Sequence, residues 1–404
     1  MTETERLLHQ VDIGELLLPS TGGPSLVDLA SAISLQAGSD VTPVTDSARQ
    51  MSEIIGPSAH LVFILVDGLG QRLIGQLPVD SFLRSQLVRE MQTVFPSGTA
   101  TALTSLATGA WPDRHGVTGW WTYLPGIKDA VALLPFLTRP SSTRGACLLT
   151  DLGVTPADAF LVPPLMGKVS RDSLALLPIK TVDSISSVYF TGGQKRSGYR
   201  TLHEAVNVIT DRVLSAQAPS YTYFYTPHLD EAVHRHGLEH ERVLHLIHQV
   251  DHELGKLAHR LSGRARIVVT ADHGMLDIPV NGRHKMGLSS DLMPLLCCPP
   301  SGDARVLYFH TQEFAKDSFR ERFLDRYSKS FILLSVEEAE SLHLLGPGPT
   351  SPEARARFGS FIAIAIGADV IEYVPTGRAG RVLHSVSHHS GLTPDEMLIP
   401  LIVA

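Results

Sequence analysis

Asp67, Thr99, Asp230, His234, Asp272, His273 and His389 are polar residues that end apolar runs or sit in short apolar-flanked turns. Together they supply carboxylates, imidazoles and one hydroxyl. Imidazole nitrogen and carboxylate oxygen are the usual non-thiolate ligands of zinc-type ions, so this set suits two divalent metal ions, most readily Zn2+. Two such ions ~3.5–4 Å apart clamp the attacking and leaving oxygens of a phosphoryl transfer. A hydroxyl at that place is a candidate nucleophile.

Taken singly, each motif has an ordinary reading. Asp230-Glu-Ala-Val-His234 puts two groups on one helical face, but such pairs are more often solvated or salt-bridged. Asp67-Gly68 is equally a turn, and Thr99 by itself is more often an ordinary helix-cap residue. Asp272-His273-Gly274 says more, because adjacent residues face one ion only on an irregular turn.

The elements that position these residues read as an α/β chain. LVFILV (Leu61–Val66) is a strand buried on both faces, with Asp67 at its carboxyl end. Thr99–Gly109 reads as a helix capped by Ser or Thr and stopped by Gly, preceded by a short strand, TVF. Helices are expected near Gln71–Leu77, Ser81–Glu90, Leu202–Ala216 and Glu239–Leu261, and strands at Ala146–Thr150, Tyr221–Tyr225, Arg266–Thr270 and Leu398–Val403. The stretch 154–198 reads as irregular. A parallel sheet gathers its chemistry at strand carboxyl ends, where these polar residues fall.

Residues 1–58 read as an N-terminal wrap, 59–275 with 386–404 as the metal-binding catalytic core, and 276–385 as an inserted cap subdomain. Trp120, Trp121 and Tyr123 lie in a turn-rich stretch suited to line a pocket.

Composition narrows the partners. A net charge of −7 without charged blocks argues against a nucleic-acid polymer or an anionic membrane. No apolar run reaches the ~18–20 residues of a membrane span, and the first ten residues lack a signal-like apolar region, so the expected location is the cytoplasm. Three cysteines, Cys147, Cys297 and Cys298, form no disulfide framework and read as buried thiols. Nothing in the sequence speaks to oligomeric state.

The order of the motifs resembles the type I phosphodiesterase/nucleotide pyrophosphatase family of the alkaline phosphatase superfamily. The matching stretches are Asp67-Gly68, Pro96-Ser97-Gly98-Thr99, Asp230-x-x-x-His234, Asp272-His273-Gly274 and His389, with Thr108-Gly109, Pro112 and His115-Gly116 as a further match. The resemblance implies an alkaline-phosphatase-like fold: a mostly parallel central sheet flanked by helices. It also implies that Asp67, Thr99, Asp272 and His273 surround one zinc and Asp230, His234 and His389 the other. His388 competes with His389 for that place. Thr99 would then attack the phosphorus of a phosphodiester or nucleotide pyrophosphate, forming a covalent phospho-threonine in a small-molecule phosphate ester hydrolase.

One departure stands out. Family members that cleave nucleotide diesters often carry Asn three residues after the nucleophile, and here Ala102 occupies that position. A phosphomonoesterase or phosphonate hydrolase is therefore the second reading, and a non-catalytic binding protein the third.

Overall fold

The computed structural model describes residues 1–20, 23–39, 44–140, 145–375 and 385–404. Its centre is a seven-stranded sheet in the order Leu87–Gln92, Leu398–Val403, Ala265–Thr270, His60–Val66, Ser220–Thr226, Asp172–Pro178, Lys195–Tyr199. The last five of these pair in parallel, and the C-terminal strand runs antiparallel to both its neighbours. Leu61–Val66 is almost wholly buried, as its unbroken apolar run requires. Helices Leu26–Gln36, Thr99–Thr108, Leu202–Ser215 and Glu241–Arg260 supply residues to the core that covers the sheet. Among the described residues no helix is long and apolar enough to cross a membrane.

The three central strands end in register. Val66 pairs with Thr226 and Leu65 with Thr270, so Asp67, the helix His228–His236 and Ala271-Asp272 leave the sheet side by side. Gly68 (φ +74) makes the closeness possible, since a Cβ there would lie 3.1 Å from Cα of Asp230.

A second seven-stranded sheet joins Phe331–Ser335, Phe361–Ala365, Val306–Phe309 and Ser301–Gly302 to Trp121–Leu124, Asp129–Ala132 and Leu137–Thr138. The segment expected as a cap thus shares a sheet with strands from the aromatic stretch that precedes it by well over a hundred residues. Residues 376–384 of that segment lie outside the described residues. Trp121 and Tyr123 are spent here, one under the Arg139 guanidinium and the other against the tilted ring of His310.

Four local expectations are corrected. Ala146–Thr150 forms an isolated bridge at Leu148 and a 3-10 turn at Leu149–Leu152, not a strand. Ser81–Glu90 splits into a helical turn, Phe82–Ser85, and the start of strand Leu87–Gln92, while TVF follows that strand rather than forming one. The stretch 154–198 contains the strand Asp172–Pro178 and most of Lys195–Tyr199. Of the cysteine pair, Cys298 is buried but Cys297 is exposed.

Candidate metal centre

The structure brings all seven residues singled out in the sequence to one place, at the carboxyl end of the central strands. Thr99 is the first residue of its helix. The cap is Gly98, which has no side chain to cap with, and the Ser97 hydroxyl instead donates to the Gly391 carbonyl at 2.7 Å. The expected hydroxyl cap is therefore absent, which leaves the Thr99 hydroxyl free of the backbone. It meets Nε2 of His273 at 3.0 Å.

The three imidazoles are held alike. Nδ1 of His273 donates to the Gly274 carbonyl at 3.0 Å, Nδ1 of His234 to Ser387 at 2.7 Å, and Nδ1 of His389 to Ser97 at 3.2 Å. Each ring therefore keeps its proton on Nδ1 and turns an Nε2 lone pair into the site. Those lone pairs face carboxylates. His234 Nε2 lies 3.4 Å and His389 Nε2 4.0 Å from Oδ1 of Asp230. His273 Nε2 lies 3.5 Å from Oδ1 of Asp67 and 3.4 Å from Oδ2 of Asp272. All three carboxylate oxygens are buried without a hydrogen-bond partner.

Lone pairs set against anionic oxygens repel, and burial magnifies the repulsion. A cation between them reverses the sign. The ligand atoms of Asp230, His234 and His389 lie within 4.8 Å of one another, as do those of Asp67, Asp230 and His273, so the donors fit two ions of the zinc type, with Asp230 common to both groups.

The titration directions agree. Burial, then the neighbouring Asp272 and Asp230 carboxylates, push Asp67 well above the usual carboxylate range. Burial raises Asp230 against the pull of His234 and His273. Burial, then His273 and His234, hold His389 well below an ordinary imidazole. Carboxylates that seek a positive charge beside His389, an imidazole that refuses a proton, are suited to metal.

Three neighbours escaped the sequence reading. Tyr225 donates its hydroxyl to Oδ2 of Asp67 at 2.5 Å. Its alternation with Tyr221 and Tyr223 on one strand was the available signal. Ser387 supplies the carbonyl that orients His234. Asp303, in the turn between strands Ser301–Gly302 and Val306–Phe309 of the second sheet, accepts the Trp120 N–H at 3.1 Å and lies so close that a Cβ on Gly98 would come within 3.0 Å of it. Burial pushes the Asp303 carboxyl up to about 6.

Three other histidines, His388, His236 and His284, stand apart from both donor groups. His388 is mostly buried, held down to about 3 by burial and the nearby His234, and is absent from both donor groups. His236 stacks on His240, and His284 pairs with Asp369 at 2.7 Å. Ala102 is fully buried in the central core, and Thr101 beside it is equally buried. The missing Asn amide is thus a feature of the core and not of the anion's surroundings.

A sequence model of the type I phosphodiesterase / nucleotide pyrophosphatase family matches residues 61–296. The chain belongs to that family. With it comes the general chemistry of a phosphohydrolase. No curated protein matches the sequence. Among solved structures, murine ectonucleotide pyrophosphatase / phosphodiesterase 5 superposes with a TM-score of 0.61 at 16% identity, over 84% of this chain and 87% of that one. An inactive threonine-to-alanine form of the murine protein, in complex with AMP, gives 0.60 at the same identity and coverage. Phosphonoacetate hydrolase from Sinorhizobium meliloti 1021, in complex with phosphonoformate, gives 0.59 at 15% identity over 85% and 89% of the two chains. At these identities the likeness is one of fold, and it bears out the expected α/β architecture.

Proposed function

We propose that the protein is a two-zinc phosphohydrolase that cleaves a phosphodiester or nucleotide pyrophosphate bond through a covalent intermediate on Thr99. The observation that carries this is the set of three Nε2 lone pairs turned against three unpartnered carboxylate oxygens beside the Thr99 hydroxyl. Asp67, Thr99, Asp272 and His273 would hold one ion and Asp230, His234 and His389 the other. When bound, these ions supply Lewis acidity that lowers the pKa of an alcohol and offsets the charge of the phosphoryl oxygens and leaving group.

The chain's own residues do the rest. Thr99, on the first turn of a helix, stands where the helix N-terminus favours an anion. His273 accepts its proton's hydrogen bond, so the hydroxyl lone pairs point away from the imidazole. Attack forms the Thr99 Oγ–phosphorus bond and breaks the bond to the departing oxygen, which leaves with the electron pair and takes up a proton. Water then attacks the phosphorus, the Oγ–phosphorus bond breaks, and Thr99 recovers its proton. Asp230, common to the His234–His389 group and the Asp67–His273 group, ties the two halves of the site together.

The inactive murine relative that carries alanine in place of a threonine supports this role for a threonine in the fold. The test is a comparison of bis-p-nitrophenyl phosphate, p-nitrophenyl phosphate and a nucleotide p-nitrophenyl ester. The diesters are expected to turn over faster than the monoester. A monoesterase preference would replace this reading with the phosphomonoesterase one.

A further inference from the structure

A cavity of about 980 Å³ opens beside the metal centre, with Asp67, Thr99 and Asp230 in its wall. That is the upper end of the ~300–1,000 Å³ range of small-molecule pockets. It lies on one face of the central sheet, where Tyr221, Tyr223 and Tyr225 project together because residues two apart on a strand share a face. Phe63 of the adjacent strand stacks on Tyr223 with ring centroids 5.8 Å apart, giving a flat aromatic floor. The opposite walls come from helices Leu26–Gln36 and Thr99–Thr108, through Ile33, Leu103 and Leu106.

Polar groups on these walls are largely spent on the protein itself. Tyr199 donates to the Tyr225 carbonyl at 2.9 Å, Ser186 to Leu134 at 2.7 Å and Thr191 to Ser187 at 2.9 Å. The interior that remains is mostly apolar, broken by the Tyr221 and Tyr223 hydroxyls on the floor, while the exposed Lys180 and Arg200 stand in the lining. An apolar space of this size forfeits packing contacts that a core normally makes, and an apolar ligand restores them.

We infer that this cavity is a substrate subsite for a single-chain apolar group, an alkyl, acyl or prenyl chain esterified to the phosphate that Thr99 attacks. The inference rests on the phosphohydrolase reading for its orientation, since the chain must enter with its phosphate at Thr99. A nucleoside would need hydrogen-bonding edges met by free polar groups, and beyond the Tyr221 and Tyr223 hydroxyls the buried walls offer few.

The experiment is calorimetric binding of methyl, hexyl and decyl phosphate, with AMP alongside, to the zinc-loaded protein below the micelle concentration of each ligand. Full burial of a methylene gives at most about a fourfold gain in affinity, so at least about a 100-fold gain is expected from methyl to decyl phosphate. Ala107→Phe on the helix Thr99–Thr108 and Ile33→Phe on the facing helix should each cut the decyl-to-methyl ratio at least about tenfold by filling the same space. Reading the ratio cancels any loss that affects both ligands. A flat series, a ratio unchanged in both variants, or AMP binding more tightly than decyl phosphate overturns the inference. Turnover of bis-p-nitrophenyl phosphate by the same preparation judges the chemistry separately: chain-length dependence without turnover keeps the subsite and sinks the hydrolase, and turnover with a flat series does the reverse.

Discussion

The Thr99 hydroxyl and Nε2 of His273 lie 3.0 Å apart, and because Nδ1 of His273 is committed to the Gly274 carbonyl, the hydroxyl is the donor. A nucleophile held this way loses its function without loss of its surroundings. Thr99→Ala should lower diester hydrolysis on the order of 10³-fold or more while leaving zinc content and the unfolding midpoint near wild type. Full activity in the variant would remove Thr99 from the chemistry.

Asp230 faces His234, His389 and the Asp67–His273 group at once. Asp230→Ala should therefore weaken both ion sites, whereas His234→Ala should empty only one. Metal analysis after gel filtration checks this. Equal losses in the two variants would contradict the shared position of Asp230.

Tyr225 fixes one oxygen of Asp67 and leaves the other turned to the site. Tyr225→Phe keeps the ring in the cavity wall and removes only that hydrogen bond. Metal affinity should fall about 10- to 100-fold, the usual effect of losing a group that orients a ligand. Competition with a chromogenic chelator reads the change, and unaltered affinity would show that Asp67 is oriented by packing alone.

Arg305 and Glu396 form a fully buried ion pair, with Nε to Oε1 at 2.6 Å and Nη2 to Oε2 at 2.8 Å. Glu396 also accepts the Gly391 N–H at 2.7 Å, two residues beyond His389. The pair thus joins the second sheet to the loop that carries a candidate ligand. Removing one partner strands a buried charge, so Arg305→Ala should cost about 3–5 kcal/mol in urea unfolding. A loss below about 1 kcal/mol would mean that the pair is dispensable.

His115 gives a pH dependence remote from the metal centre. Its Nδ1 accepts the Val117 N–H at 3.0 Å and its Nε2 meets the Ser105 hydroxyl at 2.8 Å. Burial, with Arg357 nearby, holds it down at about 3, so the folded chain keeps it neutral while the unfolded chain takes up a proton below ~6.5. Its stabilisation is present above that value and is lost as pH falls, by about 1.4 kcal/mol per pH unit down to about 3. In metal-free protein, His115→Gln should show a shallower acid loss in urea melts between pH 7 and 5. Parallel slopes would contradict the buried neutral imidazole.

The sequence carried the site better than the fold around it. Runs such as Leu61–Val66 and the stripe of helix Glu241–Arg260 are legible because the buried positions are apolar, Glu253 alone excepted. Leu87–Gln92 is not: it is rich in good helix formers, and only pairing with Leu398–Val403 decides it. Asp172–Pro178 and Lys195–Tyr199, broken by Pro and Gly at the sheet margin, lack the run that marked the central strands. Ala146–Thr150 shows that a short apolar stretch does not by itself declare a strand. Asp303 was invisible, since its approach to Gly98 depends on a sheet built from segments far apart in the chain. Asp67 and Asp272-His273 were legible because they follow strands whose burial was readable, whereas Thr99 opens a helix and Asp230 and His234 lie within one.

The most direct measurement is acid quenching of the zinc-loaded protein during turnover of bis-p-nitrophenyl phosphate, followed by mass spectrometry of the peptide containing Thr99. The account predicts one phosphoryl adduct on Thr99 that is absent from Thr99→Ala. Steady turnover with the adduct on another residue would contradict it.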